Sequence, residues 1–247
     1  PIPQMKVDQN EKYLDITTKY FNLRYQKERP FYGNKYIEEV VIPDGVIEIG
    51  KYAFSDSAIE SIGLSDTVKR LEEGVFYNCK NLCDIEIPKS VTYIGDVAFY
   101  NCVGIKNVAM PDSVVFLGQG AFYNCTSLES VSFGAGIEII GTYLTGYNNN
   151  VLGAFQNCTS LAKIVIPGTV KKIGYNAFRN CSNITELTLS EGLEGISYYA
   201  FEGCTGIKNI ALPATLVYII KAYETISIFS FVDEPSNENE KLKVFRL

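Results

Sequence analysis

IPKSVTYIGDVAFYNC, running from Ile87 to Cys102, returns 23 residues later as MPDSVVFLGQGAFYNC from Met110, and again as IPGTVKKIGYNAFRNC from Ile166. Its phenylalanine recurs at Phe54, Phe76, Phe99, Phe122, Phe155, Phe178 and Phe201, in steps of 22, 23, 23, 33, 23 and 23. Cys79, Cys102, Cys125, Cys158, Cys181 and Cys204 keep the same phase, with Ser57 in that place in the first unit. A third column, mostly proline, closes each short apolar run at Pro43, Pro88, Pro111, Pro167 and Pro213. A fixed period of this length marks a repeat architecture.

Within a unit the first half alternates, as in Leu82, Ile85 and Ile87 or Leu161, Ile164 and Ile166. Such alternation predicts a half-buried strand, and the proline that follows has no N–H to continue a ladder. The second half, Val91 and Ile94 followed by Gly95, Ala98 and Phe99, predicts a short turn or a 3₁₀ step. One unit cannot bury its own apolar face, so neighbouring units stack and share a continuous core.

The consensus IPxxVxxIGxxAFxxC resembles the BspA-like, or Treponema pallidum type, leucine-rich repeat family over residues 37 to 216. That resemblance implies a leucine-rich-repeat solenoid, curved, with parallel strands on its concave face and short turns or 3₁₀ segments on its convex face. It further implies a surface or secreted location in host-associated microbes and a part in adhesion to host matrix proteins and other cells.

The expected layout is an N-terminal cap over residues 1 to 36, repeats over 37 to 216, and a degenerate last repeat with a C-terminal cap over 217 to 247. Lys27 to Lys35 reads as a solvated, turn-rich connection, and LKVFRL at the end as one closing strand. Composition adds exclusions. A net charge of −6 argues against a nucleic-acid partner, which needs a clustered basic surface. No run of 18 apolar residues is present to span a membrane as a helix. The chain starts at Pro1 without an apolar leader, which says nothing about secretion. A monomer is expected.

Catalytic chemistry has little to stand on. The sequence has no histidine, the commonest general base and metal ligand. There is no phosphate-cradling GxxxxGK[ST], and the carboxylates fall at scattered repeat positions. Six of seven cysteines share one column beside Phe and Asn, which reads as a ladder of buried, reduced thiols packed as small apolar groups. Cys83 lies outside it. No cofactor or metal is expected, and no enzyme.

Two surfaces remain as candidates for binding. The step of 33 hides ten extra residues, Thr142 to Val151, expected to project as a loop. Its Tyr143, Tyr147, Asn148, Asn149 and Asn150 combine amphipathic rings with adaptable amides, a composition suited to contacting a partner. The outward strand positions form the other surface, in two columns beginning at Glu39 and Val41; they are mostly small and carry no aromatic cluster. The favoured function is a non-catalytic module binding a protein or glycan of a host or neighbouring cell, and the alternative is a structural spacer within a larger surface protein.

Overall fold

The computed structural model describes residues 31–143, 150–219 and 243–246. Eight coils follow one another, each with a first strand, a second strand and a turn side. The first ladder is built from Glu39–Val41, Ser61–Gly63, Asp84–Ile85, Asn107–Ala109, Ser130–Ser132, Lys163–Ile166, Glu186–Leu189 and Asn209–Leu212. It pairs in three runs, from Glu39–Val41 to Asp84–Ile85, from Asn107–Ala109 to Glu186–Leu189, and Asn209–Leu212 with the closing strand; all pairings are parallel and in the register of the repeat, Asn107 lying opposite Ser130 and Lys163 opposite Glu186. The middle residues Val40, Val108, Val131 and Ile210 point into the core while their neighbours face out. The alternation in the sequence is thus the alternation of the pleat.

The second half of each unit holds more than a turn. It contains a two-residue strand, and these make a second parallel ladder in two paired runs of four, Glu48–Ile49, Arg70–Leu71, Tyr93–Ile94 and Phe116–Leu117, then Ile139–Ile140, Lys172–Ile173, Gly195–Ile196 and Tyr218–Ile219. No 3₁₀ segment occurs among the described residues. Two residues give only one inward and one outward position, too short for alternation to be visible in the sequence.

On the turn side the backbone itself is laddered. The amide of Phe76 donates to the carbonyl of Ala98 at 2.8 Å, that of Phe99 to Ala121 at 2.7 Å, and that of Phe155 to Ala177 at 2.8 Å. Behind these bonds the phenyl rings stack with centroids 4.7 to 5.5 Å apart and planes within 21° of parallel. Among the described residues the stack runs from Phe31, one unit before the first recognisable repeat, to Phe201. Phe31 is buried and lies 4.7 Å from Phe54. The expectation of a solvated connection over Lys27 to Lys35 is therefore corrected at this residue.

The cysteine column is inside, and each thiol has a fixed partner. Cys102 Sγ donates to the Phe76 carbonyl at 3.0 Å, Cys125 to Phe99 at 3.1 Å, and Cys158 to Phe122 at 3.1 Å, each carbonyl lying one coil back. A thiol suits this place because it packs as an apolar group and still offers one weak donor. Burial favours the neutral form, pushing Cys79 up to about 11 and raising Cys102, Cys158 and Cys204 as well.

The asparagine before each cysteine has its own reason. Asn78, Asn101, Asn124, Asn157 and Asn180 all adopt positive φ, between 58° and 64°, while Gly33 and Gly203 occupy the same place at the two ends. Asparagine is among the few side chains that tolerate the left-handed region. It also bonds along the stack: Asn101 Nδ2 donates to Asn78 Oδ1, and Asn124 Nδ2 to Asn101 Oδ1, both at 2.6 Å.

The ten extra residues do not disturb the spine, since the rings of Phe122 and Phe155 on either side remain 5.3 Å apart. At the far end, Lys243–Arg246 pairs in parallel with Asn209–Leu212, so the expected closing strand is present. The remainder of both expected caps, residues 1–30 and 220–242, lies outside the described residues. No helix among the described residues is long and apolar enough to cross a membrane.

Candidate interaction surface

The outer face of the first ladder is polar and small, as its columns imply. Ser130 Oγ donates to Asn107 Oδ1 at 2.6 Å, and Lys163 pairs with Glu186 at 2.8 Å with both side chains well exposed. Exposed pairs of this kind contribute little. Val41 and Val165 are its exposed large apolar groups.

The second ladder is different. Of the ten large apolar side chains exposed among the described residues, six lie on or beside its strands: Ile47, Val115, Phe116, Ile139, Val217 and Tyr218. The register sets Tyr93 opposite Phe116, and their rings stack 4.6 Å apart with planes 5° from parallel. One coil earlier the Arg70 guanidinium lies 3.9 Å over the Tyr93 ring. Glu72 holds it there through a 2.6 Å bond to Nε. That carboxylate stands where neighbouring units have glycine, so this departure from the repeat has a specific use. Burial, with Glu72 and Asp96 nearby, raises the Tyr93 hydroxyl above the ordinary phenol range.

The result is a guanidinium, a phenol and a phenyl ring held face to face by a rigid ladder. Tyrosine and arginine are the side chains that most often dominate binding energy at protein interfaces. Held in place, they lose little freedom when a partner arrives.

The insertion meets this same face at Tyr143. Tyr143, at its start, is half-buried and does not project. Its ring centroid lies 6.3 Å from that of Tyr218, and Lys172 Nζ lies 4.9 Å from its own centroid. Burial and the hydrogen bond with Tyr218 hold the Tyr143 hydroxyl well above the usual phenol range. Tyr218 reaches back because Gly195 beneath it has no side chain; a Cβ there would run into the Tyr218 ring. Asn150 is exposed at the other end of the insertion, and Val151 beside it is buried, its carbonyl accepting from Asn176 Nδ2 at 2.8 Å. Tyr147, Asn148 and Asn149 lie outside the described residues.

A second aromatic row sits on the turn side, where Tyr77, Tyr100 and Tyr123 stack at 4.6 and 4.8 Å with planes 8° and 1° from parallel. Both faces of the Tyr100 ring are taken up by its neighbours, and all three side chains are half-buried. Burial and the neighbouring phenols raise the Tyr100 hydroxyl. Neither row was anticipated, although Tyr77, Tyr100 and Tyr123, like Tyr93 and Phe116, are spaced 23 apart and carried the signal openly. Among the described residues, no three potential metal ligands converge.

Known proteins supply the remaining context. The BspA type leucine-rich repeat region, as six copies, matches residues 24–151 and 152–238. No curated protein matches the chain. Among solved structures, a leucine-rich repeat protein from Bacteroides ovatus is similar at 28% identity and a TM-score of 0.68, over 84% of this chain and 51% of that one. The T. pallidum leucine-rich repeat protein is similar at 26% identity and 0.54, over 73% and 69%. A leucine-rich repeat protein from Eubacterium ventriosum, at 20% identity and 0.54 over 85% and 70%, shares the fold. This chain spans about half the length of the Bacteroides ovatus protein. Its repeats, ladders and stacked core are those of the BspA-type leucine-rich repeat family, and the chain belongs to it.

Proposed function

We propose that the chain is a non-catalytic interaction module of a cell-surface or secreted protein, which adheres to a protein or glycan of a host or neighbouring cell. The docking surface is the outer face of the second ladder, together with the root of the insertion at Tyr143. One observation carries this reading: six of the ten exposed large apolar side chains among the described residues gather on that side, against two, Val41 and Val165, on the first ladder's outer face. Larger exposed apolar patches mark interaction sites more often than chance surface composition does. The surface location and the adhesive role rest on the family resemblance.

Solid-phase binding to immobilised host matrix proteins and a glycan array tests it. Wild type is expected to bind at micromolar concentration, and Phe116→Glu to lose most of that binding with an unchanged thermal melt. Binding untouched by Phe116→Glu would move the site elsewhere. No ligand on either panel would overturn the adhesive reading.

A further inference from the structure

The outer face of the second ladder carries two outward positions per coil, exposed or half-buried except at the buried Gly195, and the charged and apolar groups along it are partly self-complementary. From the first coil to the eighth, one column reads Ile47, Lys69, Thr92, Val115, Glu138, Lys171, Glu194 and Val217; the other reads Glu48, Arg70, Tyr93, Phe116, Ile139, Lys172, Gly195 and Tyr218. We propose that this face docks a second copy of the chain. The coils of the two copies run in opposite directions, about a twofold axis that lies in the interface along the strands, between Phe116 and Ile139. The proposal rests on the reading of this face as the docking surface, and it replaces the monomer expected from the sequence.

A twofold contact places each patch against its own counterpart, so every pairing occurs twice. With the axis between the fourth and fifth coils, Phe116 meets Ile139 and Ile47 meets Val217, apolar against apolar. Lys69 meets Glu194. Tyr93, with Arg70 on one side and Phe116 stacked on the other, meets the ammonium of Lys172, which already lies over Tyr143. The mismatches are Glu138 opposite Val115, Glu48 opposite Tyr218, Arg70 opposite Gly195 and Lys171 opposite Thr92.

Other arrangements set like charges directly opposite one another, whereas here the nearest like pair is Lys172 beside the Arg70 that lies over Tyr93. Moving the axis onto the coil of Phe116 sets Lys69 and Arg70 against Lys171 and Lys172. On the coil of Ile139 it sets Glu138 against itself. Turning it along the solenoid sets Lys69 against Arg70 and Lys171 against Lys172. Like-charge juxtaposition suppresses wrong pairings, so the charges select the antiparallel arrangement between Phe116 and Ile139. Eight coils about 4.8 Å apart and a strip about 15 Å wide give roughly 600 Å² per copy, about 1,200 Å² in total. That is the lower end of specific interfaces, as expected of a dimer that forms in the micromolar range.

Sedimentation equilibrium of the full chain, from about 1 to 200 µM in low salt, tests this. Wild type is expected to pass from monomer to dimer. Lys69→Glu and Glu194→Lys are each expected to weaken the dimer about tenfold or more, because each sets like charges opposite twice. The double variant Lys69→Glu/Glu194→Lys restores opposite charges and is expected to return the wild-type curve. These side chains lie at the surface, so thermal melts should stay unchanged. Wild type sedimenting as a monomer throughout overturns the proposal, as does a dimer that the double variant fails to restore. Were the wild type monomeric while Phe116→Glu still lost matrix binding, self-association would fall and the docking surface would stand.

Discussion

The phenyl rings of Phe122 and Phe155 lie 5.3 Å apart with planes 2° from parallel, although 33 residues of chain separate them. Neighbours on either side keep the same spacing over only 23 residues: Phe99 to Phe122 is 4.8 Å and Phe155 to Phe178 is 5.4 Å. The core is therefore specified by the phase of the repeat, and chain length between contacts matters only to the surface.

Truncation within this stack should be severe. Phe99 and Phe122 are fully buried between rings on both faces. Phe99→Ala and Phe122→Ala are each expected to cost about 3–5 kcal/mol, since little around the vacated ring can collapse into it. Urea unfolding read by circular dichroism measures the loss.

Two glycines of one repeat column should respond in opposite ways to alanine. A Cβ on Gly95 would fall 2.6 Å from the backbone nitrogen of Glu73 in the preceding coil, whereas one on Gly50 meets nothing within 4 Å. Gly95→Ala forces two coils apart and should lower the melting temperature sharply. Gly50→Ala should be neutral or add about 0.4–1 kcal/mol by restricting the unfolded chain.

Asn101 combines φ of 58° with two inter-coil side-chain bonds. Asn101→Gly keeps the backbone and loses the bonds, for an expected cost of about 1–2 kcal/mol. Asn101→Ala should cost about 1–2 kcal/mol more, because alanine pays the left-handed penalty that glycine does not. The difference between the two variants in chemical denaturation isolates the backbone term.

The thiol column makes two measurements informative. Only Cys83 is exposed, so one thiol per native chain should react with an aromatic disulfide reagent and the remaining six only after unfolding. Burial raises Cys79 from an ordinary 9.0 to about 11, and raises Cys102, Cys158 and Cys204 in the same direction. As pH climbs past 9 the unfolded chain gives up these protons before the folded one does. Stability is thus full below pH 9 and falls as pH rises toward and beyond 11. Tyr93 and Tyr100, also raised, add to the same slope. Urea midpoints at pH 8 and pH 10.5 check the sign, and Cys79→Ala should flatten part of the fall.

The sequence made the first ladder, the phenylalanine spine and the thiol column legible because each is a single residue type returning in phase. Phe31 escaped because FYGN departs from FYNC at both of its last two places, Gly33 and Asn34. The second ladder escaped for a different reason: with two residues per strand there is no alternation to read, only a spacing between coils. Its aromatic face was visible solely by comparing Tyr93 with Phe116 across units. Tyr143 was expected to project with the insertion, yet its ring folds onto Lys172 and Tyr218. No local signal near Tyr143 announces Gly195, whose missing side chain gives Tyr218 the space to reach it.

Most bonds between coils join one coil to the next, along both ladders and through the amides of Phe31, Phe54, Phe76, Phe99, Phe122, Phe155 and Phe178, while Tyr143 and Tyr218 reach further. Such a molecule can be lengthened or shortened by whole turns without redesign of what remains, so gene duplication of a 23-residue segment yields a working intermediate at every step. Pulled from one terminus, it would yield turn by turn like a zip, in a series of small force steps and not in one rupture.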